Sequence, residues 1–178
     1  YQQEHSLEVQ LPFIQKVFGN VKIVPILMGN PNPKFCKKLA EVLNDLIGSR
    51  EDVLVIASSD MSHYLDYDTA NKMDEVSLEA INLLDPEKFW KGNLWHQMEM
   101  CGFVPVTTLI LYAKERGLKV QVLKHANSGD TAGDKTKVVG YSSIVFYQDK
   151  IDMNLTKEEK KQLQTLARET LHSFVNSA

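Results

Sequence analysis

This sequence is poor in cysteine and has no long apolar run, and both absences narrow the class of protein. Its 178 residues include two cysteines, Cys36 and Cys101, which are too few for the disulfide framework of a small secreted domain. No run approaches the ~18 apolar residues of a membrane span, and the opening residues lack the charged start and apolar stretch of a signal peptide. We therefore expect a cytoplasmic protein with reduced cysteines and no membrane span.

An excess of basic residues is also absent. The chain has 20 Lys and Arg against 23 Asp and Glu, a formal net charge of −3. A protein that binds the nucleic-acid backbone needs a basic patch or stripe, so we expect no nucleic-acid partner. HExxH, CxxC, Walker and GxGxxG patterns are missing as well, which leaves the common zinc-protease and nucleotide-binding interpretations without support.

Apolar patterning predicts alternating helices and strands, which is typical of a layered α/β protein. Two nearly continuous apolar runs have strand length and suit strands covered on both faces, although Pro25 disfavours part of the first. The pattern predicts helices at 6–18, 35–46, 67–84 and 104–116, a short helix that begins at Pro86, strands at 21–28, 53–57, 118–123 and 138–147, and a loop at 126–137.

The character of the sequence changes after the last predicted strand. Residues 149–154 form a polar linker, and Thr156 and Glu159 have the spacing of a capping box at the start of an amphipathic helix. We expect residues 155–178 to open a second domain; the alternative is that the helix docks on the first domain as its final layer. The apolar stripe of this helix comprises Leu163, Leu166, Ala167, Leu171 and Phe174.

The loop after residues 53–57 is the first place to look for chemistry, because ligands of α/β sheets bind beyond the carboxyl ends of strands. Asp60 and His63 lie three residues apart there and can meet if the segment turns. A carboxylate can orient an imidazole, raise its pKa or share a metal ion with it. The alternative is that Asp60 caps the next helix and His63 is a surface residue.

Cys101 is the second candidate, since it precedes a predicted helix whose dipole favours the thiolate. A thiolate there could ligate a soft metal or act as a nucleophile, whereas a lone cysteine is more often a small buried apolar residue. We interpret Cys36, which lies among lysines, as a packing residue. His5 is a weak signal at the start of the first helix, and His125, after a strand, is a candidate for the same rim as Asp60.

Four ordered segments, EHSLEVQLPF, VLVIASSDMSHY, MCGFVPV and VGYSSIVFY, resemble the second half of the Memo family. The family is similar in fold to the iron-bearing subunit of class III extradiol dioxygenases. The resemblance implies a three-layer fold, with a central, mostly parallel or mixed sheet and helices on both faces. We accordingly expect residues 1–148 to form the C-terminal half of a Memo-like domain.

The resemblance also implies a site. Cys101 matches the family's metal-ligating cysteine, Asp60 and His63 match residues at that site, and His5 matches a residue lining the same pocket. The family's remaining ligands are two histidines from its N-terminal half, which these 178 residues lack. We therefore expect a metal ion, iron or copper, to be completed by histidines absent from this chain, and we expect the chain to be a fragment or a cleaved product.

The terminal segment LTKEEKKQLQTLARETLHSFV resembles the opening helix of the AMMECR domain, which follows Memo domains in some microbial fusion proteins. That association suggests a radical S-adenosylmethionine enzyme as a partner. Three functions remain open: a metal-dependent, dioxygenase-like redox enzyme, a non-catalytic metal- or peptide-binding module that keeps the fold, and a partner of a radical enzyme. The first and third are compatible, and a cysteine in place of a carboxylate ligand argues against ring cleavage.

Overall fold

The computed structural model describes residues 5–148 together with 161, 162 and 165. The chain divides into two compact units, one of Tyr1–Ile26 and Lys150–Ala178 and the other of Leu27–Asp149. Each unit is described by itself below.

The first unit contains a 3-10 turn, Glu8–Gln10, and helix α1, Leu11–Phe18. The regular α-helix thus begins later than the predicted position 6, with Pro12 in its first turn, where a missing N–H costs nothing. Of the predicted terminal helix, Lys161, Gln162 and Thr165 are described, and all three are helical. The linker 149–154 and the apolar stripe of that helix lie outside the described residues.

The second unit contains the helices that the apolar periodicity predicts. Two of these helices are capped by the aspartate that precedes them. The side chain of Asp66 accepts a hydrogen bond from the backbone N–H of Thr69, and that of Asp85 accepts one from the backbone N–H of Lys88. A short helix interrupts the segment 126–137, which was predicted to be a loop; reciprocal hydrogen bonds between Asn127 and Asp130 cap it. The helices are α2 (Pro33–Ile47), α3 (Tyr67–Asn82), α4 (Pro86–Leu94), α5 (Phe103–Glu115) and α6 (Ser128–Ala132).

An antiparallel sheet in the order β1-β3-β2 lies in the second unit. Its strands are β1 (His63–Leu65), β2 (Lys119–Asn127) and β3 (Val138–Tyr147). The two longer strands confirm the predictions at 118–123 and 138–147, whereas β1 occupies what was predicted to be a polar loop. The chain is α/β, as predicted; the parallel or mixed character of the sheet stays a prediction, because the strands expected to supply it do not form.

The predicted strands at 21–28 and 53–57 are absent from the described part of the chain, and those two predictions are wrong for this structure. A strand needs a neighbour to receive its backbone hydrogen bonds, and no described residue supplies one. In the second segment the side chains still alternate: Val55 and Ala57 pack on the core, while Leu54 and Ile56 are 65% and 48% exposed. The period of two is that of a strand whose outer face is uncovered.

The main core lies between the sheet and helices α3, α4 and α5. Met61, fully buried in it, anchors the polar loop that precedes β1. Among the described residues, no helix has the length and apolar composition needed to cross a membrane. The largest side chains of this core are Met61, Ile81, Phe89, Met98, Met100 and Ile110.

Candidate functional site

The loop Ser58–His63 is held in place by its backbone. The N–H of Met61 donates to the carbonyl of Gly140 at 2.9 Å, and the N–H of Gly140 donates to the carbonyl of Ser62 at 2.9 Å. The N–H of Ser62 donates to Oδ1 of the buried Asp74 at 3.0 Å. These bonds fix the residues between Asp60 and His63, so the two side chains project from a rigid turn.

Cys101 lies next to this loop, one residue before the N-cap Gly102 of α5. The backbone N–H of Asp60 donates to its Sγ at 3.2 Å, and Ser59 Oγ lies 3.7 Å from the same sulfur. Ser59 Oγ also accepts the N–H of Gly102 at 2.8 Å. The thiol is exposed, so the interpretation of Cys101 as a small buried residue is wrong here.

The loop that carries Cys101 approaches the Ser58–His63 loop so closely that position 102 has no room for a side chain. A Cβ at this position would lie 2.6 Å from the carbonyl oxygen of Ser58 and 2.7 Å from Cβ of Ser59. Any larger residue would push the Cys101 loop away from the Ser59–Asp60 backbone. Glycine is therefore required for the sulfur to reach the N–H of Asp60.

Asp60, His63 and Cys101 each present one potential ligand atom, and these atoms all lie within 4.8 Å of one another. Nε2 of His63 is 3.8 Å from Oδ2 of Asp60. A thiolate, an imidazole nitrogen and a carboxylate oxygen form a donor set that suits a first-row transition metal rather than Mg²⁺ or Ca²⁺. The structure thus brings together three of the four predicted site residues, and their chemistry fits a metal ion.

Glu99 was not among the sequence-based candidates. Its Oε1 lies 3.2 Å from Nδ1 of His63, so the imidazole contacts carboxylates through both ring nitrogens. In the sequence, Glu99 is marked only by its place two residues before Cys101, and that spacing is too weak a signal to identify it.

A second carboxylate behind the loop was also missed. Asp74 is fully buried on α3, and its Oδ2 lies 2.8 Å from Nε2 of His125 on β2. Asp74 also binds the backbone of Ser62, and the prediction that His125 lines the same rim as Asp60 stays a prediction. Asp74 falls within a helix of mixed polarity, where nothing in the sequence distinguishes it from its solvent-exposed neighbours.

Two tyrosines lie near Asp60. Burial, followed by the charges of Asp60 and Tyr64, raises the pKa of Tyr141 above its ordinary value. Tyr64 is 71% exposed and holds a positive φ of 59°, a conformation that an L side chain rarely adopts. At Tyr141 the neutral phenol is therefore favoured over the phenolate.

Comparison with known proteins decides the family. The model of the Memo-like protein family matches residues 1–145. The chain belongs to the Memo family. It is similar to a MEMO1 family protein of Sulfolobus acidocaldarius, with 42% identity over 145 residues, covering 80% of this chain and 51% of the relative.

Other Memo relatives show the same pattern. A MEMO1 family protein of Thermotoga maritima is 42% identical over 144 residues, covering 81% of this chain and 51% of the relative. A MEMO1 family protein of Saccharolobus solfataricus is 41% identical over 146 residues, covering 80% of this chain and 51% of the relative. The chain spans about half the length of the curated relatives it matches.

Sequence-based predictions were also made for His5 and Cys36 of this Memo chain. His5 belongs to the first unit, is exposed and contacts Glu8 through Nδ1, and its role in the pocket stays a prediction. Cys36 is buried, its Sγ donates to the carbonyl of Val104 at 3.5 Å, and burial raises the pKa of its thiol. The packing interpretation of Cys36 is confirmed.

Proposed function

We propose that the Memo-family protein that carries this chain is a metal-dependent redox enzyme whose ion, iron or copper, is held by Cys101 with His63 and Asp60 beside it. The observation that carries the proposal is the convergence of a sulfur, a nitrogen and an oxygen donor within 4.8 Å. The thiol of this set is exposed, and its sulfur is held by the backbone N–H of Asp60, so it is accessible to an ion.

The chain's own residues have separable roles in this proposal. Sγ of Cys101 accepts the N–H of Asp60 and lies one residue before the N-cap of α5, so its position is fixed where it could ligate an ion. Asp60 and His63, 3.8 Å apart, can hold and pass a proton beside a bound substrate. When bound, the ion would supply Lewis acidity and one-electron chemistry.

Further ligands and partners follow from the family resemblance. Two histidines from the N-terminal half of the Memo fold would complete the coordination of the ion. A radical S-adenosylmethionine enzyme would act with the protein, and residues 155–178 would open an AMMECR-like domain. A dioxygenase-like reaction is the form of redox chemistry that the resemblance favours.

The test is metal analysis of the full-length protein purified without oxygen, followed by Co²⁺ substitution of the metal-free form. We expect one iron or copper ion per chain and, with Co²⁺, the near-ultraviolet charge-transfer absorbance of a cobalt–thiolate bond. Cys101→Ser should abolish that absorbance and His63→Ala should weaken ion binding. The matched control is Cys36→Ala, which removes the other thiol of this chain and should leave the absorbance intact.

An empty site without cobalt–thiolate absorbance would overturn the proposal. A specific observation would then favour the second candidate, a non-catalytic binding module. The ring of Tyr64 is exposed, its centroid lies 6.0 Å from that of His63, and it suits a peptide or aromatic ligand. That candidate predicts peptide binding that Tyr64→Ala weakens, with no dependence on metal and no oxygen consumption.

A further inference from the structure

The ring of His63 lies between two carboxylates that are not equivalent. Glu99 Oε1 is 3.2 Å from Nδ1, within hydrogen-bond range, whereas Asp60 Oδ2 is 3.8 Å from Nε2, beyond it. Neutral imidazole carries one N–H, and the better acceptor decides which nitrogen keeps it. The geometry therefore favours the proton on Nδ1.

The position of Glu99 is set by the core rather than by solvent. The residues on either side of it, Met98 and Met100, are 2% and 7% exposed and pack in the main core. Glu99 itself is 39% exposed at its side chain, and His63 is 23% exposed. The segment that presents the Cys101 thiol thus also presents a carboxylate to the far side of the same imidazole.

We propose that Glu99 is a positioning residue that accepts the Nδ1–H of His63 and so leaves the Nε2 lone pair directed toward Asp60 and Cys101. A carboxylate on one imidazole nitrogen makes the other nitrogen a better ligand and a better base, because it fixes both the tautomer and the ring orientation. The effect on metal binding rests on the proposed function above, but the tautomer of His63 does not.

The tautomer is read directly by ¹⁵N-labelled histidine NMR on the full-length protein with metal removed. Spectra are recorded at about pH 9, well above the ordinary histidine pKa of about 6.5, so that the ring is neutral. The signal of His63 is assigned by its loss in His63→Gln. We expect Nδ1–H in the wild type, loss of that preference in Glu99→Ala, and its retention in Glu99→Gln, whose amide oxygen still accepts.

The matched control is Glu79→Ala, which removes an exposed glutamate that pairs with Lys88 at 3.2 Å, away from His63. It should leave the His63 signals unchanged. A wild-type ring protonated on Nε2, or a tautomer that Glu99→Ala does not alter, would overturn the proposal.

A second arm separates the positioning role from the metal site. Glu99→Ala should weaken Co²⁺ binding by about 10–100-fold, the usual effect of removing a carboxylate behind a ligating histidine, and Glu99→Gln should restore part of the loss. If the tautomer responds as expected but no variant, including the wild type, binds Co²⁺, the positioning role stands and the proposed function fails. If Co²⁺ binds the wild type but Glu99→Ala changes neither the tautomer nor the Co²⁺ affinity, the positioning role fails and the proposed function stands.

Discussion

Nε2 of His125 lies 2.8 Å from Oδ2 of Asp74, a carboxylate with no exposed surface, and the other oxygen of that carboxylate accepts the N–H of Ser62. The pair joins α3, β2 and the loop that presents Asp60 and His63. A buried carboxylate is tolerated only when its charge and lone pairs are satisfied. The rigidity of the candidate site therefore depends on a pair of residues that lies behind it.

Removing the carboxylate of Asp74 should destabilise the folded protein. We expect Asp74→Ala to lower the free energy of unfolding by about 3–5 kcal/mol, because it leaves Ser62 N–H and His125 without their partner. Asp74→Asn should cost less, since its amide oxygen can still accept one hydrogen bond. Urea denaturation measures the change, and the neighbouring exposed residue is the control: Glu75→Ala should stay within about 0.5 kcal/mol of the wild type.

Gly140 gives an independent test of the same contact. A Cβ on Gly140 would fall on the carboxylate of Asp74, so Gly140→Ala should destabilise the fold by about 1–3 kcal/mol through overpacking. The effects of Gly140→Ala and Asp74→Ala should be strongly non-additive in a double-mutant cycle, because the second change removes the clash. Gly29→Ala, with open space around the added carbon, is the control; simple additivity would contradict the arrangement.

The two thiols should differ in reactivity. Cys101 is exposed beside a helix N-terminus, whereas Cys36 is fully buried and burial raises the pKa of its thiol. In the metal-free protein, a disulfide reagent should label Cys101 rapidly and Cys36 only after unfolding. Cys101→Ser should remove the fast phase alone. Rapid labelling of both thiols in the folded protein would show that the burial of Cys36 is not maintained.

The phenol of Tyr141 should titrate above its ordinary range. Burial is the first cause of its raised pKa and the charge of Asp60 the second, so Asp60→Asn should lower that pKa only part of the way toward normal. Because the folded state favours the neutral phenol, this group's contribution to stability should fall as the pH rises above about 10. NMR of ¹³C-labelled tyrosine follows the titration.

Asp68→Asn is the matched control for that titration. The hydrogen bond to Asp130 is the first cause of the raised pKa of Tyr67 and the charge of Asp68 the last, so loss of Asp68 should lower the Tyr67 pKa slightly and leave that of Tyr141 unchanged. An unaltered Tyr141 pKa in Asp60→Asn would mean that the two groups do not interact.

Sequence patterns predicted the helices of the second unit better than its strands. A helix satisfies its own backbone hydrogen bonds, so a local apolar stripe is enough to place it, and the predicted starts at 67 and 86 match those of α3 and α4. The apolar runs at 21–28 and 53–57 had the composition of strands but found no partner among the described residues. The three-residue strand β1 is the opposite case. It has no apolar pattern, but it forms because it pairs with β3.

Some residues of the candidate site could be predicted from the sequence and others could not. Asp60, His63 and Cys101 could be identified because their residue types, their place after an apolar run or before a helix, and the family resemblance all indicate them. Ser59 and Glu99 could not, because a serine or a glutamate has meaning only through what it contacts. Ser59 contacts the Cys101 loop 43 residues further along the chain, and Glu99 contacts His63 across 36 residues.

By itself, the sequence determined the α/β class and the helices that begin near Tyr67 and Pro86, since these depend on residue type and local spacing; the three clustered donors were indicated by residue type together with the family resemblance. Only the tertiary structure decided which carboxylate faces which nitrogen of His63, why Gly102 and Gly140 are glycines, and that Asp74 lies buried against His125. Those relationships join residues far apart in the chain. They are set by packing between elements, which local sequence patterns do not encode.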